Sequence, residues 1–327
     1  MKKTTILLNF FIINIIVFII IAPLVIFYGP FTSLKRFALE TIITSRHPQV
    51  AELFLSKEIM NELLNQSKLK TITVEPVILD KKNVLFDSAN GIRIEEISGK
   101  SFKGKVMLID NPNLVKVAVT NELGIAGQRL SELVAENKAI GGINAGGFFD
   151  PDAQGNGAFP DGITVRDGEI VYNNVGNDYA SIIGLDKNGK LFLDKMSVNE
   201  IKERGIQHAV TFEPYLLLDG IPQIKGDGGW GLAPRTGIGQ KADGTIIFVV
   251  IDGRQPGWSM GATLRDLMNV FIEYQALNAA NLDGGSSSEM YYNGQIINRL
   301  WNIFGERYIP TAFIVMPNDL ENKGENY

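Results

Sequence analysis

The stretch Asn281-Leu282-Asp283-Gly284-Gly285-Ser286-Ser287-Ser288 joins one carboxylate to consecutive glycines and serines. Small residues leave backbone N–H groups open to a ligand, so Gly284 to Ser287 can form an anion-holding nest, with the serine hydroxyls as further donors. Asp283 at its edge suits a catalytic acid, base or nucleophile, or a plain cap on neighbouring amides. A second stretch, Ala233-Pro234-Arg235-Thr236-Gly237-Ile238-Gly239, follows the glycine-rich run Gly226 to Gly231. The planar fork of Arg235 matches phosphate oxygens, and Arg254, just after Asp252-Gly253, offers a second one. Each is equally suited to a surface ion pair. A third stretch runs from Gly141 to Asp150, where glycines flank Asn144 and precede Phe148 and Phe149. An Asn at a strand end supplies a donor and an acceptor, and an aromatic ring can floor a sugar. The alternative there is a tight turn with core phenylalanines.

Weaker candidates surround these. Glu213 precedes Pro214 and an apolar run, a place where carboxylates cap bends, and His208 reads as structural. Trp230 and Trp258 sit in glycine-rich loops, suited to stacking on sugars or to anchoring the loops. No cofactor is expected; Asp150 with Asp152 could hold a divalent cation, but a solvated loop pair is the better reading. The sequence lacks phosphate-loop, zinc-protease, nucleophile-elbow and EF-hand patterns.

The elements that must carry these stretches are short and β-rich. Apolar runs at Lys105–Asp110, Val115–Thr120, Ser181–Asp186, Ile246–Asp252 and Thr311–Met316 read as strands. Asp167-Gly168, Asn188-Gly189, Asp219-Gly220, Asp243-Gly244 and Asn293-Gly294 read as hairpin turns. Helical spacing appears over Ser131–Lys138 and over Thr263–Asn278, where Leu264, Leu267, Met268, Phe271 and Ile272 share a face behind the cap Thr263. The class expected is α+β, with a mixed, largely antiparallel sheet and packed helices.

The N-terminal part differs. Ile6 to Tyr28 is 23 residues without a charge, long enough to cross a bilayer and longer than the apolar part of a cleavable leader. The expectation is a cytoplasmic tip and transmembrane signal anchor over 1–28, with Lys2 and Lys3 inside and the rest of the chain outside the cytoplasm. A helical stalk interrupted at His47-Pro48 and a linker would fill 29–91, a globular domain 92–317, and a polar tail 318–327. Of the 327 residues 31 are basic and 36 acidic, net −5, and residues 29–327 carry 29 basic against 36 acidic, net −7. This balance disfavours nucleic acid as a partner. The absence of cysteine removes thiol chemistry, and the domain must rest on its core alone.

Read in order, Asn144-Ala145-Gly146-Gly147-Phe148-Phe149, Pro160-Asp161-Gly162-Ile163, Pro234-Arg235-Thr236-Gly237-Ile238-Gly239, Asp252-Gly253-Arg254 and Asn281 to Ser287 resemble the phosphodiester glycosidase family over about Ile92 to Pro317. Two positions depart from its pattern: Ala145 and Ser286 stand where the family usually has glycine. The resemblance implies hydrolysis of a sugar-1-phosphodiester at the anomeric carbon, in cell-surface or exopolysaccharide material. It implies Asp283 as nucleophile or base, with Asp252 and Glu213 as further catalytic candidates, and Arg235 and Arg254 as clamps on the leaving phosphate. Asn144, Gly146, Gly147 and the nest Gly284, Gly285, Ser286 and Ser287 would bind substrate. The competing reading is a non-catalytic carbohydrate-binding or assembly protein of the cell envelope.

Overall fold

The computed structural model describes residues 2–30, isolated positions between 35 and 42, and residues 49–60, 79–149 and 155–318. Its centre is an eight-stranded sheet in the order Asp80–Asp87, Ile92–Ser98, Lys103–Ile109, Ile246–Ile251, Arg235–Lys241, Ala276–Asn281, Tyr215–Leu218 and Ile221–Pro222. Two five-stranded sheets accompany it. One is built around Gly141–Asn144 and Thr311–Val315, the other around Ala180–Asp186 and Ile206–Thr211. Among the described strands every pairing is antiparallel, so the expected mixed character is absent. The five predicted turns each join two antiparallel strands, and Asp167, Asp219 and Asn293 adopt the positive φ that such two-residue turns demand.

Strand alternation sorts the core into layers. In Ile246–Ile251, Ile246, Phe248 and Val250 face the smaller sheets, meeting Val117, Ile143, Ile183, Val210 and Phe313. Ile247, Val249 and Ile251 face the opposite way, onto Leu264, Leu267, Met268 and Phe271. Those four side chains are fully buried, and each such burial contributes roughly 1.5–3 kcal/mol. Their helix, Leu264–Glu273, is capped by Thr263 and Asp266. It ends earlier than the apolar spacing suggested, because Gln275 turns to φ 60° and Ala276 begins a strand. The short helices Leu130–Glu136 and Val198–Glu203 close the outer faces of the two smaller sheets.

The sheet begins at Asp80, ahead of the boundary expected at Ile92, so part of the presumed linker is an edge strand. Its composition, Asp-Lys-Lys-Asn-Val-Leu-Phe-Asp, hides it, since its first four residues are all polar. At the N-terminus a helix covers Lys2–Tyr28, and Phe10, Phe11, Ile13, Ile15 and Phe18 stand exposed on it. Among the described residues no helix is long and apolar enough to cross a membrane, and not every side chain of this helix is among those described. The expected transmembrane helix is therefore not supported. A helix at Gln49–Glu52 belongs to the region read as stalk, as does Phe54, whose ring stacks on that of Phe27 in the N-terminal helix, 4.9 Å between centroids. Most of that region, and the tail beyond Asn318, lie outside the described residues.

Candidate functional site

Antiparallel register brings the chemical stretches to one end of the sheet. Arg235 opposes Ile251, and Gly237 opposes Asn281. The start of one strand thus lies beside the ends of its two neighbours, where Asp252 and Asp283 follow. From the second sheet, Asn144 ends its strand opposite Ala312.

Asn144 fastens the three stretches together. It is 1% exposed. Its amide donates to the carbonyl of Asp283 at 2.5 Å, while its Oδ1 accepts from the Thr236 hydroxyl at 2.8 Å and from the Glu289 N–H at 3.1 Å. The Asp283 N–H donates to the Ala145 carbonyl at 3.0 Å, and the Gly285 N–H to that of Pro234 at 2.9 Å. Asn144 is thus spent inside the frame and does not reach toward a sugar, because its whole side chain is consumed by internal partners. Gly146 and Gly147 are buried behind it. A Cβ on Gly146 would meet Val210 at 3.0 Å, and one on Gly147 would meet the Phe212 ring at 3.0 Å and Asp161 Oδ2 at 3.2 Å. They permit close packing of the loop rather than exposing backbone to ligand.

The Gly284–Ser287 loop is a 3₁₀ turn over Gly285–Ser287. Three of its amides already have carbonyl acceptors: Gly285 on Pro234, Ser287 on Gly284 and Ser288 on Gly285. Ser287 is 2% exposed. The nest is accordingly smaller than the sequence suggested, with Gly284 and Ser286 supplying the amides that face no described carbonyl. Gly285 holds φ 62°, a conformation costly for other residues, and a Cβ there would lie 3.5 Å from Nη1 of Arg254.

Arg254 is the better candidate clamp. Its guanidinium lies against Gly285, its buried Nε has no hydrogen-bond partner, and its Cζ stands 5.3 Å from the Trp301 ring centroid. Arg235, 3% exposed, instead donates Nε to the Ala262 carbonyl at 3.0 Å and Nη2 to those of Trp230 and Gly231 at 3.1 and 2.8 Å. Burial, with Arg254 as a like-charged neighbour, lowers its pKa to about 10, still protonated at neutral pH. The neighbouring positive charge of Arg235 and Arg254, with Asp266 as the counter-charge on Arg235, makes these surroundings favourable to an anion. Arg307, which the sequence reading passed over, completes the set: its Nη1 donates to Ser286 Oγ at 2.5 Å, and its Cζ lies 4.9 Å from the Phe148 ring centroid.

The remaining carboxylates divide by environment. Both Asp252 oxygens are occupied, Oδ2 by the Trp258 indole N–H at 2.9 Å, Oδ1 by the Arg299 N–H at 3.0 Å and the Asn298 amide at 3.2 Å. Burial raises its pKa against these bonds. Asp252 is a tie between loops. Glu213 sends its main-chain carbonyl to the site, accepting from Asn281 at 3.0 Å. Its carboxylate turns away to Ser181 Oγ at 2.5 Å and Lys195 at 3.9 Å. His208 accepts from the Asp167 N–H at 3.4 Å, and burial lowers its pKa to about 4, so it is neutral scaffold.

Two carboxyl groups were given no role in the sequence reading. Glu289 is 0% exposed, accepts from the Arg307 N–H at 2.7 Å, and has its pKa pushed up to about 9 by burial and then by Glu306. It is a neutral acid beneath the loop. Asp161 stands beside Gly147 and the Phe212 ring, with its pKa raised by desolvation although the residue keeps contact with solvent. It stands in the stretch Pro160-Asp161-Gly162-Ile163, which carried the family resemblance without a role for the carboxyl. Phe212 in turn meets Trp230 edge-to-face at 6.4 Å. Asp150 and Asp152 lie outside the described residues, and among those described no three His, Asp or Glu cluster as metal ligands.

The family model for phosphodiester glycosidases matches residues 137–316, more than half of the chain, and the chain belongs to that family. The fold is similar to the zebrafish N-acetylglucosamine-1-phosphodiester alpha-N-acetylglucosaminidase catalytic domain auto-inhibited by its pro-peptide, with TM-score 0.57 and 18% identity over 77% of this chain and 92% of that one. A hypothetical protein from Synechocystis gives TM-score 0.55 at 16% identity, covering 69% of this chain and 62% of that one. A putative exported protein of Burkholderia pseudomallei gives 0.52 at 17%, covering 66% and 74%. In sequence, the SPbeta prophage-derived uncharacterized protein YomE of Bacillus subtilis is 31% identical over 120 residues, which is 36% of this chain. The match spans 18% of that relative's length.

Proposed function

We propose that this chain hydrolyses sugar-1-phosphodiesters at the anomeric carbon, acting on phosphodiester-linked carbohydrate outside the cytoplasm. The observation that carries the reading is the placement of Asp283 at the lip of a loop against which Arg254 lies and onto which Arg307 donates. A departing phosphomonoester is a stable anion, so the reaction needs positive charge at the leaving oxygen more than a strong acid. Arg254 and Arg307 serve that oxygen, with the Gly284 and Ser286 amides alongside. Asp283 attacks the anomeric carbon or deprotonates the water that does. Over the whole reaction one water is consumed: its hydroxyl joins the sugar carbon as the C–O bond to phosphate breaks, the bond's electron pair leaves with the phosphate, and the water's other proton passes by way of the Asp283 carboxylate to the phosphate or the solvent.

The helix Lys2–Tyr28 serves as a single-pass membrane anchor in this reading. Its support is the 23-residue uncharged run and the exposed phenylalanines and isoleucines along it. The test of the chemistry is incubation of the full chain with sugar-1-phosphodiesters in oxygen-18 water. Label in the released sugar bears the proposal out. Label in phosphate assigns P–O cleavage instead, and no turnover on any such substrate favours a binding protein.

A further inference from the structure

Outside the cleft, loops around Arg254–Met260 and Asn298–Tyr308 share the Asp252 tie, and Gln255 Nε2 also donates to the Arg299 carbonyl at 3.0 Å. Their outer surface repeats one arrangement, a cation laid on an aromatic ring. Lys103 Nζ lies 3.9 Å and Arg299 Cζ 5.3 Å from the Trp258 ring centroid, and Arg254 Cζ lies 5.3 Å from that of Trp301. Trp258 and Trp301 are 39% and 44% exposed, and Lys103 and Arg299 are exposed as well. Among the described residues neither Lys103 nor Arg299 has a carboxylate within ion-pairing distance. This strip stands out on a chain whose residues 29–327 carry net charge −7, and it is continuous with the site, since Arg254 touches Gly285 on one side and Trp301 on the other.

We infer that these loops extend the cleft into a track for a phosphodiester-linked glycan chain, so that the substrate is a polymer gripped beyond the bond that is cut. The inference rests on the glycosidase reading and names its substrate class. The exposed parts of the two indoles offer apolar surface to sugar rings, and the ammonium and guanidinium groups held against them match the single charge of each bridging phosphodiester. Rings interleaved with cations therefore fit a chain that alternates sugar and phosphate. The rigid tie through Asp252 holds the two walls at a fixed spacing, which lowers the entropy lost when such a chain is bound.

The experiment uses the full chain in detergent with N-acetylglucosamine 1-phosphate oligomers of one, two, four and six repeats. Controls are a neutral four-sugar oligomer and an oligothymidylate of equal charge. Hydrolysis is followed on the active chain and binding on its Asp283→Asn variant. The expected result is a kcat/KM at least about tenfold higher for four repeats than for one, a gain erased by high salt. The Lys103→Ala/Arg299→Ala double variant, with unchanged Tm, loses several times more on four repeats than on one. Cleavage of one repeat without any length dependence overturns the track and leaves the glycosidase reading standing. Length-dependent, variant-sensitive binding with no cleavage at any length does the reverse. Equal affinity for the neutral oligomer or for the oligothymidylate also overturns the track, because it removes either the charge or the sugar from recognition.

Discussion

Asn144 and Asp283, 139 residues apart in sequence, are joined by a side-chain amide to main-chain carbonyl hydrogen bond of 2.5 Å. Since the same amide group also accepts from Thr236 and Glu289, one buried residue sets the position of the carboxylate proposed to act on the sugar. Replacing it by Ala strands the Thr236 hydroxyl and the Glu289 N–H. An unsatisfied buried group costs about 1–3 kcal/mol. Asn144→Ala should lower Tm measurably and reduce kcat more than it raises KM; a variant with unchanged Tm and only a raised KM would return Asn144 to sugar contact.

Asp283 holds the frame through its main chain, its N–H on Ala145 and its carbonyl under Asn144. Truncating the side chain should leave the fold intact. Asp283→Ala is expected to lower turnover of a sugar-1-phosphodiester at least about 100-fold, in the range typical of lost acid–base groups, with Tm within a few degrees. Undiminished turnover would remove Asp283 from the chemistry.

Asp252 is expected to behave differently. In Asp252→Asn the amide N–H₂ can face the Trp258 indole N–H, donor against donor, while Oδ1 still accepts from Arg299. Tryptophan quenching by acrylamide should rise as the Trp258 loop loosens, and turnover of a one-repeat substrate should fall less than about tenfold, well below the loss expected for a reacting group. Loss of activity equal to that of Asp283→Ala, with quenching unchanged, would make Asp252 a reacting group.

Glu289 gives the fold a pH dependence of known sign. Its carboxyl is held protonated up to about pH 9 in the native state, while the unfolded chain releases that proton near its ordinary value of 4.5. Between those limits the native state binds the extra proton, so this contribution is fully present below about pH 4.5 and declines as pH rises toward 9. Glu289→Gln keeps an acceptor for the Arg307 N–H and abolishes the decline. Its Tm should therefore change less between pH 5 and pH 8 than that of the parent chain. A parallel or steeper fall in the variant contradicts the assignment.

Arg254→Lys tests the clamp. Lysine retains charge but loses the planar fork and the stacking on Trp301. A fall of about 10–100-fold in kcat/KM on a phosphodiester, set against a smaller effect of Arg299→Lys, is expected. Equal effects would place Arg254 among the surface cations.

Much of this was readable from residue order. The five Asx-Gly pairs marked hairpins because they need positive φ, and the apolar runs, continuous in Ile246–Ile251, marked strands, that one being buried on both faces. Asn144, Arg235, Arg254 and Asp283 stood at strand ends, so their convergence followed once the register was antiparallel. Roles were harder to read than positions. Arg235 looked like a clamp because its carbonyl partners at Trp230, Gly231 and Ala262 are set by loop geometry. Glu289, after three serines and before Met-Tyr-Tyr, carries no mark of burial, which arises from contacts with Asn144 and Arg307. The edge strand Asp80–Asp87 was hidden by its polar composition.

The Asp252 carboxylate stitches two lips of the cleft to one point. Lips sewn together cannot gape separately, so the mouth keeps a constant gauge whatever passes through it. Past the stitch, Ile303 and Phe304 protrude at 89% and 87% exposure. Changes made at that fringe should therefore leave the width of the mouth as it was.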